Sequence, residues 1–129
     1  MPGTVLICDD DPIFSEFLAD ALVYRGFVVY KVSDPDLLKN FLEGYAAPDV
    51  IILDFQMPGG GGPEALRYLK ASEKTRNVPV IVCSSMQIDR LAEWFPDQTK
   101  LRLRMKPVKV EDILSSIVSL FGESSPGSA

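Results

Sequence analysis

A chain of 129 residues with 47% hydrophobic content is the size and composition of one globular domain, able to bury a core without disulfides or a structural metal. Its 18 acidic and 13 basic side chains give a net charge of −5, which argues against a nucleic-acid or anionic-membrane surface. Two distant cysteines and no histidine exclude a zinc centre and a disulfide framework.

The elements follow in chain order. Thr4–Cys8 (TVLIC) is a short apolar run ended by acids, suited to a buried parallel strand. Pro12–Tyr24 carries Ile13, Phe14, Phe17, Leu18, Ala21 and Leu22 at helical spacing, opened by Asp11-Pro12 and closed by Gly26. Phe27–Val32 is β-branched and aromatic, a second strand. Asp34-Pro35 opens a second helix with Leu37, Leu38, Phe41 and Leu42 on one stripe and Gly44 beyond it. Val50–Leu53 (VIIL) is a third strand, again followed by an acid, Asp54. MPGGGG, from Met57 to Gly62, reads as a loop, and Pro63–Ala71 as a helix. Val78–Cys83 is a fourth strand ended by Ser84-Ser85. A shorter periodic stretch, about Ile88 to Phe95, is the fourth helix. Leu101–Met105 (LRLRM) alternates as a fifth strand ended by Lys106-Pro107, and Val110–Phe121 is the last helix. Residues 1–122 thus form one domain, with 123–129 (ESSPGSA) a flexible tail or the start of a linker.

Five strand–helix repeats in this length predict an open, doubly wound parallel sheet, flavodoxin-like, of strand order 2-1-3-4-5 with five helices. A closed eightfold barrel needs about twice the chain. No apolar run approaches the roughly 18 residues of a membrane span. The start of the chain has no basic region, and the acids at 9–11 interrupt any signal core, so the cytoplasm is the expected compartment.

In such a sheet the ligand site lies outside the carboxyl ends of the strands. Those ends carry Asp9-Asp10, Asp54, Ser84 and Lys106. A lone Asp after a strand is most often a turn former or helix cap, and Asp11 before Pro12 reads that way. The joint arrival of all five residues at one edge is what capping and turn chemistry do not explain. Three carboxylates without a cation raise one another's pKa, and a hard divalent ion relieves this; Mg²⁺ prefers oxygen and leaves room for a phosphate. A carboxylate beside it, Asp54, can attack phosphorus and form an acyl phosphate. Ser84 can donate to the phosphoryl group, and Lys106 supplies fixed positive charge.

At these residues the sequence resembles the receiver domain of two-component response regulators, over about Thr4 to Phe121. LICDDDP matches the acidic pair, VIILDFQMPGGGG the phosphoacceptor strand and loop, VPVIVCSS the hydroxyl strand, and MKP the lysine-proline. The resemblance implies phosphorylation of Asp54 and Mg²⁺ binding by Asp9, Asp10, Asp54 and the backbone carbonyl of Gln56. It implies that Ser84 contacts the phosphoryl group, that Lys106 pairs with it, and that the Lys106–Pro107 peptide is cis. Gln56 and Met86 would flank the phosphoryl group and tune its lifetime. The implied partners are a sensor histidine kinase or phosphotransfer protein, and a downstream effector. The chain would be no enzyme beyond its own phosphorylation and dephosphorylation.

Two positions depart from the family pattern. Leu103 stands where an aromatic residue often lies three before the lysine, and Trp94–Lys100 (WFPDQTK) lacks the usual glycine-alanine turn. Trp94 and Phe95 read equally as core or as a partner patch. Arg102 and Arg104 charge one side of the fifth strand, either as edge protection or as a homodimer or effector surface. Cys8 and Cys83 read as small buried hydrophobes, on strands too far apart for a disulfide. The rival readings are a receiver-like interaction module that takes no phosphate, and a metal-dependent aspartyl phosphatase. The phosphatase pattern has a second Asp where this chain has Gln56.

Overall fold

A computed structural model describes residues 3–57 and 61–124. Five parallel strands form a single sheet: β1 (Thr4–Cys8), β2 (Val28–Val32), β3 (Val50–Asp54), β4 (Val80–Ser84) and β5 (Leu101–Met105), in the order β2-β1-β3-β4-β5. They alternate with α1 (Pro12–Tyr24), α2 (Pro35–Gly44), α3 (Gly61–Ala71), α4 (Ile88–Ala92) and α5 (Val110–Ser124). This is the doubly wound, flavodoxin-like arrangement expected from the sequence.

Because strand side chains alternate, the central strands feed two separate cores. Leu6, Cys8, Ile51, Leu53, Val80 and Val82 pack with α2, α3 and Leu91 of α4. Val5, Ile7, Val50, Ile52, Ile81 and Cys83 pack with α1 and α5. β1, β3 and β4 are therefore built on apolar runs covered on both faces, and β3 and β4 end in the buried Asp54 and Ser84. The two thiols belong to opposite cores and are free.

Helix starts follow side-chain chemistry. Asp11 accepts from the Ile13 and Phe14 amides at 3.0 and 3.3 Å, and Asp34 from Leu37 at 2.8 Å, each followed by Pro at the first helical position. Gly26 (φ +96°) ends α1, with its amide on Val23 and that of Phe27 on Leu22.

The structure shifts several predicted boundaries. Phe27 spends its N–H on the α1 terminus, so β2 begins at Val28. The Val78 amide closes a turn on Thr75, and Pro79 has no N–H, so β4 begins at Val80. α4 stops at Ala92: the amides of Glu93, Trp94 and Phe95 bond three residues back, in a tightened turn before Pro96.

Gly61 and Gly62 belong to α3 rather than to a loop, while residues 58–60 lie outside the described residues. The Gly62 amide donates to Phe55 at 3.1 Å, and a Cβ there would meet Phe55 Cα at 2.3 Å. Only glycine permits that approach. α5 runs three residues past Phe121, so 123 and 124 are helical rather than tail; residues 125–129 lie outside the described residues. No described helix is long and apolar enough to cross a membrane.

Candidate functional site

The carboxyl ends of β1, β3, β4 and β5 lie side by side because the ladder pairs Cys8 with Leu53, Asp54 with Cys83, and Ser84 with Met105. Each strand then delivers its next polar residue to one edge.

Asp9 is buried, and each of its carboxylate oxygens has one donor: Oδ1 accepts from the Asp11 amide at 2.8 Å and Oδ2 from Lys106 Nζ at 3.0 Å. Asp54, 4% exposed, accepts from the Gln56 amide at 3.0 Å through Oδ1, while Oδ2 lies 3.6 Å from Lys106 Nζ. Asp10 is exposed, yet an oxygen from each of Asp9, Asp10 and Asp54 falls within 4.8 Å of the others.

Burial, the charge of Asp9 and a hydrogen bond that the protonated Asp54 donates to Asp10 push the Asp54 carboxyl up to about 6, against the Gln56 amide and Lys106, which pull it down. Burial alone would lower Lys106, but its hydrogen bond to Asp9 and the two buried carboxylates raise it. The ammonium also sits 4.9 Å over the Phe14 ring. The sequence marks Phe14 only as one of the apolar positions of α1.

One ammonium among three carboxylates leaves an excess of negative charge on an oxygen-only donor set. That set fits a hard divalent cation, and Asp9, Asp10 and Asp54 could hold one.

Ser84 is fully buried at the end of β4. Its hydroxyl donates to Gln56 Oε1 at 3.1 Å and accepts from the Met86 amide at 3.1 Å. Gln56 Oε1 also accepts from the Ser85 amide at 2.9 Å and the Ser85 hydroxyl at 2.6 Å. Gln56 therefore ties Asp54 to Ser84, through its backbone on one side and its side chain on the other. Sequence reasoning placed Gln56 beside the site but gave no sign of this bridge, and it missed Ser85.

The lysine-proline peptide is cis. Leu103 is half-buried against the core beneath α4. Phe95 is buried and Trp94 is 58% exposed, so the pair splits between core and surface. Arg104 donates to Ser116 and Ser115 and Arg102 to Ser119, which lays both over α5.

The family model described as response regulator receiver domain matches residues 5–118. Among curated relatives, protein PilH of Pseudomonas aeruginosa is 30% identical, over 88% of this chain and 93% of its own length. The phosphate regulon transcriptional regulatory protein PhoB of Escherichia coli is 31% identical over 66% of this chain. The match covers only 37% of that relative's length. Among solved structures, the signal receiver domain of a signal transduction histidine kinase from Syntrophus aciditrophicus superposes with a TM-score of 0.79. It is 27% identical, over 93% of this chain and 90% of that one. Chemotaxis response regulator CheY4 of Vibrio cholerae, 18% identical with a TM-score of 0.79 over 93% of this chain and 99% of its own, shares the fold. With an acidic cluster, a lysine and a hydroxyl at the ends of its parallel strands, the chain belongs to the response regulator receiver domain family of two-component signalling.

Proposed function

We propose that this domain is a phosphorylation-controlled switch that takes a phosphoryl group onto Asp54 from a histidine kinase or phosphotransfer protein and then binds a downstream effector. The observation that carries the reading is the buried Asp54 carboxylate, flanked by the buried Asp9, the exposed Asp10 and Lys106. In the transfer, a carboxylate oxygen of Asp54 bonds to phosphorus as the bond from phosphorus to the donor breaks. The product is an acyl phosphate.

Asp9, Asp10, Asp54 and the backbone carbonyl of Gln56 are the residues that would hold Mg²⁺. When bound, it supplies charge neutralisation at the phosphoryl oxygens. Lys106, restrained by Asp9, sits where it can follow charge from Asp54 to the phosphoryl group. Ser84 supplies a hydroxyl donor from the neighbouring strand.

Because Ser84, Ser85 and Met86 are hydrogen-bonded through the Ser84 and Gln56 side chains, recruitment of the Ser84 hydroxyl perturbs the whole β4–α4 loop. That loop leads to α4, whose core contact includes the half-buried Leu103, and the shift in packing is the signal. Catalysis goes no further than the domain's own phosphorylation and its reversal, and the setting is the cytoplasm.

The test is intact mass after incubation with a small phosphodonor such as acetyl phosphate, with and without Mg²⁺. One phosphoryl group added only with Mg²⁺, and absent in Asp54→Asn, is expected. No addition under either condition overturns the switch in favour of an interaction module, and repeated turnover of phosphate esters overturns it in favour of a phosphatase.

A further inference from the structure

The groove between α3 and the segment that follows α4 is not used by the phosphoacceptor chemistry. Two cavities, of about 460 and 240 Å³, run along it and share Leu66, Lys70, Trp94 and Phe95. α4 ends at Ala92, and the segment after it, from Trp94 to Asp97 with Thr99 and Lys100, forms the wall opposite Leu66 and Lys70 of α3.

Its floor is aromatic. Phe55 meets Phe95 and Trp94 edge-on, with centroids 5.5 Å apart in both pairs. Phe55 and Phe95 are buried, whereas the Trp94 side of the groove faces solvent. Its rim is basic. Arg67 and Lys70 come from α3, and Arg76 and Lys100 from the loops at the lower end. The one acid in the lining, Asp97, accepts from the Thr99 amide.

On a chain of net charge −5 the lining carries more cations than acids, and since Arg76 already faces Glu73 at 3.8 Å, the unbalanced charge rests on Arg67 and Lys70. Among the described residues, no carboxylate lies within ion-pair distance of Arg67 or Lys70. Burial lowers the Lys70 pKa; nearby Asp97 opposes this, and Lys100 adds to it. An incoming anion would relieve that imbalance.

We propose that this groove binds an acidic peptide segment of a partner protein, with an aliphatic or aromatic side chain on the Trp94–Phe95 floor and carboxylates on Arg67 and Lys70. Arg67 and Lys70 lie three residues apart, on neighbouring positions of one helix face, so they can engage two carboxylates of one strand of peptide. A small-molecule site needs buried polar groups that converge on one point. Here the cations are on flexible side chains along an open rim, with an apolar centre, which is the anatomy of a peptide or protein contact.

Trp94 is the only tryptophan in the chain, so its fluorescence reports on the groove directly. The experiment selects a displayed library of random dodecapeptides on the full chain. Enriched peptides are then made and titrated against wild type and against the Arg67→Glu/Lys70→Glu variant. Both residues are exposed, so the variant is expected to fold, with its circular dichroism and its phosphorylation at Asp54 unchanged. Enrichment of acidic peptides that shift Trp94 emission, bind about tenfold or more weakly to the variant, and weaken with added salt supports the proposal. Enrichment of peptides without acidic residues, binding unaffected by the charge reversal, or no enrichment at all overturns it.

Discussion

Replacing Asp54 by Asn should stabilise the metal-free protein, by an amount that depends on pH. Burial, then Asp9 and Asp10, push the Asp54 carboxyl from its ordinary 3.8 to about 6, despite the Gln56 amide and Lys106. Between those values the folded chain holds a proton that the unfolded chain releases. This group's contribution is therefore most favourable below about pH 4, is lost as pH rises, and is fully lost above about pH 6. A displacement of this size corresponds to at most about 3 kcal/mol, at roughly 1.4 kcal/mol per pH unit. Asn keeps an oxygen for the Gln56 amide and carries no charge to desolvate.

The assay is urea unfolding of both proteins in EDTA, between about pH 4 and pH 7.5, with stabilities compared at each pH. The gap in favour of Asp54→Asn should be near zero at the acid end and grow to about 1–3 kcal/mol at the neutral end. Mg²⁺ should then raise the wild type and narrow the gap, because a cation that binds only the folded acidic cluster stabilises it by mass action. A gap independent of pH would refute the reasoning. So would a variant less stable than wild type near pH 7.5, since the Asp54–Lys106 attraction would then outweigh the cost of burial and crowding.

Gly62→Ala should lose about 2–3 kcal/mol or more, because the new methyl meets Phe55 Cα at 2.3 Å and Phe55 carbonyl oxygen at 2.7 Å, and backbone cannot swing aside. A shift below about 1 kcal/mol in urea unfolding would show that α3 can start elsewhere. Gln56→Ala should cost the unphosphorylated chain about 1–2 kcal/mol, read in the same assay, since one oxygen accepts from Ser84 and twice from Ser85. Cys8 and Cys83 are buried and their thiols are pushed up to about 12, so neither should react with a thiol reagent in the native state. Both should become reactive in step with unfolding, and rapid labelling without denaturant would count against the two sealed cores.

The sequence displays the strand ends more clearly than anything else because two constraints coincide there. β1, β3 and β4 are buried on both faces, which makes them continuous apolar runs, and the first polar residue after each run is where the sheet meets solvent. Asp9, Asp54 and Ser84 could therefore be placed on one edge before any contact was known. What the sequence hides is set by long-range fit. α3 starts at Gly61 because Gly62 lies against Phe55, a contact that composition alone renders as loop. α4 ends at Ala92 in a run of amides bonded three residues back, although Ile88 to Phe95 carries helical periodicity. Phe14 beneath the Lys106 ammonium and the Gln56 side chain across Ser84 and Ser85 have no local signature, since each depends on which residues of other elements arrive opposite.

The Gln56 bridge bears on how the proposed switch is thrown. A serine hydroxyl has one proton to donate, and Ser84 commits it to Gln56 Oε1 while its oxygen accepts from the Met86 amide. Contact with a phosphoryl oxygen and contact with Gln56 are thus mutually exclusive. The exchange trades a neutral hydrogen bond for a charge-assisted one, roughly twice as strong, so it favours the phosphoryl side without being irreversible. Ser85 retains two hydrogen bonds to the same Gln56 oxygen, which anchors one end of the loop while Ser84 turns. On the proposed reading, phosphorylation at Asp54 would act on β4 by competing for a single proton, and that competition would reach the loop that leads into α4 without an aromatic ring at position 103.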